Sequence, residues 1–166
     1  MGPAPSLPDR IYACVTVRRQ PIGVVVQVRY DEAPLGVRLH SGARDAAVRL
    51  LMSRSDGEVL ERTRSCRFGL ADLPIAQALA EELRHRLLQI ARRPLSGRQV
   101  EQVLRINSEE RRQWTREGRL PARGQSRMRR GPNKITLRTY DPELIEALAD
   151  TPCEIARWRG AGQRAP

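Results

Sequence analysis

The sequence is poor in most of the side chains that build catalytic and metal sites. Its 166 residues include one phenylalanine, two tryptophans and three tyrosines, so a core must rest on Leu, Ile, Val and Ala. Lys134 is the single lysine and stands in a stretch without carboxylates, whereas a metal-dependent nuclease needs clustered acids beside its lysine. His40 and His85 are solitary. Cys14, Cys66 and Cys153 are odd in number and widely spaced, with no C-x-x-C pairing, so neither a disulfide framework nor a zinc site follows. Free thiols fit a reducing cytoplasm. No apolar run is long enough to span a bilayer, and no signal peptide is evident. Met1-Gly2 with Ser6 formally fits a myristoylation pattern, but Pro3 and Pro5 argue for coincidence. Glycine-rich phosphate loops are lacking, and Tyr140 near Arg138 lacks the His and Arg motifs of a tyrosine recombinase. These gaps argue against an enzyme, and they imply no cofactor, no metal and no membrane partner.

What is abundant is arginine. The net charge is +11, and 29 of the 30 basic residues are arginine. A GC-rich genome accounts for much of that bias, yet a guanidinium fork matches phosphate and guanine edges bidentately whatever its origin. The charge is also uneven. Residues 1–90 carry 13 arginines against 10 acids, whereas residues 91–166 carry 16 arginines and Lys134 against 9 acids. A basic half beside a near-neutral one is the footprint of nucleic-acid binding.

The basic half is organised around residues 96–140. Ser96 stands three residues before Gln99, and Asn107 three before Glu110, so each pair can cap a helix reciprocally. Val100, Val103 and Leu104 give the first helix an apolar face, and Gly118 ends the second, where a left-handed residue costs glycine little. Two short helices joined by a tight turn at Arg105 and Ile106 predict a helix-turn-helix. A run from residue 120 to residue 138 then contains no carboxylate but carries Arg123, Arg127, Arg129, Arg130, Lys134 and Arg138. Gly131-Pro132-Asn133 supplies turn chemistry and Ile135-Thr136-Leu137 a short β-type run, which together predict a basic hairpin. Asp141-Pro142 opens a further helix.

The pattern of Val100 to Leu104, Trp114, Glu117-Gly118-Arg119-Leu120-Pro121, glycine-bearing hairpin and Tyr140-Asp141 resembles the winged helix-turn-helix of MerR-type regulators, phage excisionases and phage terminase small subunits. The W-x-x-x-G-x-L-P element is its most specific part, and the likeness covers roughly a third of the chain. The resemblance implies that the second helix enters the major groove while the hairpin, or wing, touches backbone or minor groove. Family members usually carry a small residue where Glu101 stands, glycine where Arg105 stands and an aliphatic residue where Arg111 stands. Arg105 would then take a left-handed backbone or reshape the turn. Arg111 could lay its stem on the core and extend its charge outward.

Trp114, Gly118 and Pro121 are expected to anchor this module, with base stacking by Trp114 the sharper alternative. Glu109, Arg112, Gln113 and Arg116 are the candidates to read base edges: Arg pairs with guanine, Gln with adenine, and Glu accepts from cytosine. Arg119, Arg123, Arg127, Arg129, Arg130, Lys134 and Arg138 are the candidate phosphate contacts of the wing.

Elsewhere the signals are less pointed. Residues 1–9 read as a disordered tail. Alternating apolar residues predict a strand over 11–17 and a β-branched run a second over 22–30, followed by a shorter strand over 35–40, a helix from Ser41 with Ala43, Ala46, Ala47, Leu50 and Leu51 on one face, and a strand or irregular segment over 59–68. A sheet presenting Arg18, Arg19, Arg29 and Arg38 could touch phosphate, though such residues are ordinarily just solvated. The long helix over 73–92 carries a stripe of Ile75, Leu79, Leu83, Leu87 and Ile90, for packing on its own domain or for dimerisation. Pro94 ends it, and Thr151 with Glu154 predicts one more capping box.

The sequence therefore predicts an α+β protein in five parts: a tail (1–9), a small sheet-and-helix domain (10–70), an amphipathic linker or dimerisation helix (71–93), a winged helix-turn-helix (94–160) and a short tail (161–166). The expected function is sequence-specific binding of double-stranded DNA by a cytoplasmic homodimer, as a transcriptional regulator. An excisionase-like or terminase-small-subunit-like accessory protein of a mobile element is the alternative within DNA binding. A protein-interaction module built on the winged fold is the alternative outside it, and the N-terminal domain could itself hold a protein partner.

Overall fold

The structure, a computed structural model, describes residues 5–53, 58–60, 65–130 and 133–162. Side chains at 41, 58–60, 128–130, 133–135 and 161–162 lie outside that description, as do residues 1–4 and 163–166 of the expected tails. The chain is α+β and divides into two compact units, Met1–Ala91 and Arg92–Pro166.

The first unit opens on a helix, α1 (Leu7–Cys14), where a tail and then a strand were expected. Ser6 and Asp9 form a reciprocal capping box, a proline occupies the first turn, and Leu7, Ile11 and Cys14 are buried at helical spacing. Ile11 fits both a period of two and a period of 3.6, so the cap decides. Strand β1 (Val15–Gln20) pairs antiparallel with β2 (Gly23–Val28), with Val15 opposite Val28 and Gln20 opposite Gly23. Gly23 is needed for close approach, because a Cβ there would stand 2.2 Å from the Phe68 carbonyl oxygen.

Residues 35–40 are not a third strand. Leu35–Leu39 forms a short helix, α2, whose Gly36 lies so close to Ala91 that a Cβ would meet its carbonyl oxygen at 2.2 Å. Arg38 therefore sits on a helix and not on the sheet. Helix α3 (Ser41–Met52) buries Ala43, Ala47 and Leu51, as the sequence predicts. The predicted break at Asp56-Gly57 lies outside the described residues. In place of one strand over 59–68 there are two, β3 (Glu58–Leu60) and β4 (Ser65–Phe68), paired antiparallel with Val59 opposite Cys66. The sheet order is β1-β2-β4-β3.

Helix α4 (Leu73–Ala91) is the spine of this unit. Ala76, Leu79, Ala80, Leu83, Leu87, Ile90 and Ala91 are buried, and the helix packs on α1, α2, α3, β1 and β2. It belongs to the first unit's core rather than forming a separate linker segment. Ile75, expected in its stripe, is exposed.

In the second unit, β5 (Leu95–Ser96) leads into α5 (Gly97–Leu104) and α6 (Ser108–Arg116). A hairpin of β6 (Ala122–Arg130) and β7 (Asn133–Tyr140) follows, then α7 (Pro142–Ala149) and α8 (Pro152–Gly162). The hairpin strands are longer than the three-residue run the sequence suggests, and β5 adds a third strand with Leu95 opposite Tyr140. Gly131 and Pro132 of the predicted turn lie outside the described residues. Thr151, expected to cap α8, instead donates its hydroxyl to the carbonyl of Ala147 at 2.9 Å, closing α7. The core gathers Leu95, Val100, Leu104, Ile106, Trp114, Leu120, Tyr140, Ile145, Leu148, Ile155 and Trp158, all buried.

Candidate nucleic-acid interface

The site is built on α6. Both capping boxes form: Ser96 and Gln99 hold the start of α5, and Asn107 accepts from the N–H groups of Glu109 and Glu110 at 2.9 and 2.8 Å. Between the helices Arg105 adopts φ 52° and ψ 47°, the left-handed conformation that the sequence offered as one alternative. A side chain in that region costs roughly 1–2 kcal/mol relative to the right-handed helix. Arg159 of α8 braces the same turn, donating to the Arg105 carbonyl at 2.8 Å and through Nε to Glu110 at 2.7 Å. The hydrogen bond from Arg159, the largest influence, holds the Glu110 carboxyl below its ordinary pKa against a smaller opposing effect of burial.

Trp114 is 3% exposed and packs edge-on against Trp158, with ring centroids 5.1 Å apart and an interplanar angle of 74°. That geometry suits the quadrupoles of two aromatic rings. The indole is therefore an anchor and is not free to stack on a base. At the far end of α6, Gly118 takes φ +75°, and the Leu120 N–H returns to the Trp114 carbonyl at 3.0 Å. Leu120 is fully buried and Pro121 exposed, so the anchoring role expected of Pro121 falls to its neighbour.

Arg111 does not extend outward. Its Nε donates to Glu101 at 2.7 Å and its Nη1 to the Tyr140 hydroxyl at 2.9 Å, and that hydroxyl also bonds the Thr115 hydroxyl at 3.1 Å. Burial works against the charge, but the Glu101 and Tyr140 hydrogen bonds outweigh it and raise the guanidinium's pKa. Gly97 leaves the space, since a Cβ there would lie 2.8 Å from the guanidinium carbon. Two departures from the family pattern, Glu101 and Arg111, thus answer each other. Their opposite signs on adjacent helices were the one sequence signal for the pair. Trp158 and Arg159 gave none.

Between α6 and β7 lies a concavity of about 720 Å³ lined by Ser108, Glu109, Arg111, Arg112, Thr115, Arg116 and Arg138. Arg112, Arg116 and Arg138 are exposed and make no ion pair among the described residues. Among the described residues Glu109 is the single carboxylate that lines it, and it also complements the N-terminal dipole of α6. Three of the four predicted base readers, Glu109, Arg112 and Arg116, come together here with Arg138. Gln113 does not, because its amide donates to Glu117 at 2.8 Å.

The predicted phosphate contacts divide. Arg119 pairs with Glu117 at 3.0 Å and Arg123, at a bulge in β6, pairs with Asp141 at 2.8 Å, so neither is an uncommitted cation. Arg127 is exposed on β6. The backbones of Arg129, Arg130 and Lys134 lie in the hairpin strands, and their side chains are outside the described residues.

Burial, the largest influence, pushes the Cys14 thiol up to about 11, which leaves it a poor nucleophile. Among the described residues no group of three His, Cys, Asp or Glu could hold a metal, and no helix is long and apolar enough to cross a membrane. Compared with protein-family models, curated proteins and solved structures, the chain matches none of them.

Proposed function

We propose that the second unit is a winged helix-turn-helix that binds duplex DNA, with α6 offered to the major groove and the β6–β7 hairpin laid along the backbone. The observation that carries this reading is the group of Arg112, Arg116 and Arg138 around one concavity, none of them committed to an acid among the described residues. A helix of this length spans about 13 Å, enough to cross a groove roughly 12 Å wide. Exposed guanidinium groups on it and on the neighbouring strand supply donors for phosphates and base edges alike. Transcriptional regulation by a cytoplasmic homodimer is the simplest biological role, since one short helix reads few base pairs and a second copy doubles the site.

The test is fluorescence anisotropy of the whole chain with random duplex at rising salt. Binding should weaken linearly on logarithmic axes, by about 0.9 per phosphate neutralised. Failure to bind any duplex at low salt removes the proposal.

A further inference from the structure

The way α6 spends its polar side chains also bears on what it reads. Resting on the duplex-binding proposal, we infer that the site reads G·C base pairs through the major groove and specifies no adenine. The side chains suited to adenine are Gln and Asn, whose amide must donate to N7 and accept from N6 at once, and the Asn107 side-chain carbonyl is already taken by the N–H groups of Glu109 and Glu110. Gln113 is the one such residue on the exposed part of α6, and it is turned along the helix. Its Nε2 donates to one Glu117 oxygen at 2.8 Å, while the other Glu117 oxygen accepts from Arg119 at 3.0 Å. Gln113 also takes no part in lining the concavity.

The side chains left are of complementary kinds. Arg112 and Arg116 only donate, which matches guanine O6 and N7 and is repelled by the adenine amino group. Glu109 only accepts, which matches the cytosine N4 amino group. Arg111 also lines the concavity, but Glu101 and Tyr140 already take its Nε and Nη1, so it lacks the free fork that guanine requires. Arg138 approaches from the hairpin side and remains for phosphate. Glu109, Arg112 and Arg116 rise along about 10 Å of helix, roughly three base steps. The expected core is therefore three or four consecutive pairs in which guanine meets arginine and cytosine meets glutamate.

The experiment has two arms on the full chain. Duplexes selected from a random pool should share a short G·C core. In the selected duplex, replacing a core guanine by 7-deazaguanine removes the N7 acceptor and should weaken binding about tenfold or more, whereas inosine, which keeps O6 and N7, should bind nearly as guanine does. Gln113→Ala should leave the preference intact, and Arg112→Ala should flatten it at one position; both residues are exposed, and circular dichroism checks folding. Enrichment of A·T cores, retention without enrichment, an inosine penalty equal to that of 7-deazaguanine, or loss of preference in Gln113→Ala would each overturn the inference while leaving duplex binding standing. Failure to retain any duplex at low salt overturns the functional proposal itself, and this inference with it.

Discussion

Arginine does different work in the two units. In the first, Arg84 lies over the Tyr12 ring at 4.5 Å and donates to the Val15 carbonyl at 2.9 Å, and Arg29 donates to the Ala13 carbonyl at 3.1 Å. Each also pairs with a nearby glutamate. Those two guanidiniums serve as struts, satisfying main-chain oxygens where a strand meets a helix. In the second unit Arg159 is a strut of the same kind, on the Arg105 carbonyl, and Arg111 is one held by side chains, Glu101 and Tyr140, but Arg112, Arg116 and Arg138 are left uncommitted around one concavity among the described residues. The net charge of +11 counts struts and free cations alike. What separates them is whether the fold has already supplied an acceptor.

Substitutions can break that distinction. Trp114→Ala should do most harm, since losing a buried indole costs about 3–5 kcal/mol and would lower or abolish the thermal transition of the second unit. Arg111→Ala should cost about 1–3 kcal/mol, because it strands Glu101 and leaves the Tyr140 hydroxyl with Thr115 alone; a near-neutral result in denaturant titration would show that Arg111 is no strut. Replacing Arg112, Arg116 and Arg138 together by Ala should leave stability within about 0.5 kcal/mol while weakening duplex binding. A loss of stability comparable to that of Arg111→Ala would erase the contrast. Arg105→Gly should stabilise by up to about 1 kcal/mol, since glycine takes the left-handed turn without a Cβ penalty.

The smallest effect concerns acid. The folded-state pKa of Glu110 lies below its ordinary 4.5, so the stabilisation from its pair with Arg159 is complete above about pH 4.5. It is lost as pH falls through the folded value. Glu110→Gln should remove that part of the acid sensitivity, as seen in denaturation midpoints followed from pH 6 to pH 3. Identical pH profiles for the two proteins would show that the pair contributes nothing.

Sequence patterns revealed elements in proportion to how locally they are specified. Helices α5 and α6 were legible because Ser96 with Gln99, and Asn107 with Glu110, write their starts within four residues. Helix α2 was not, because five apolar-rich residues fit either period, and a distant contact of Gly36 with Ala91 accompanies the helical form. The hairpin's full length was hidden for the opposite reason: residues 122–127 and 136–138 are exposed, so no apolar alternation marks those parts of its strands. Within the site, residue type nominated Arg112, Arg116 and Arg138. It could not foresee that Arg119 and Arg123 would be taken by Glu117 and Asp141, because those partners depend on the fold.

The most direct test is the salt dependence of duplex binding by the wild-type chain and by the Arg112→Ala, Arg116→Ala, Arg138→Ala variant. Wild-type protein should bind, and the variant should bind more weakly with a shallower slope, smaller by about 0.9 for each phosphate contact removed. Equal affinities and slopes, with both proteins folded, would contradict the assignment of these three arginines to DNA.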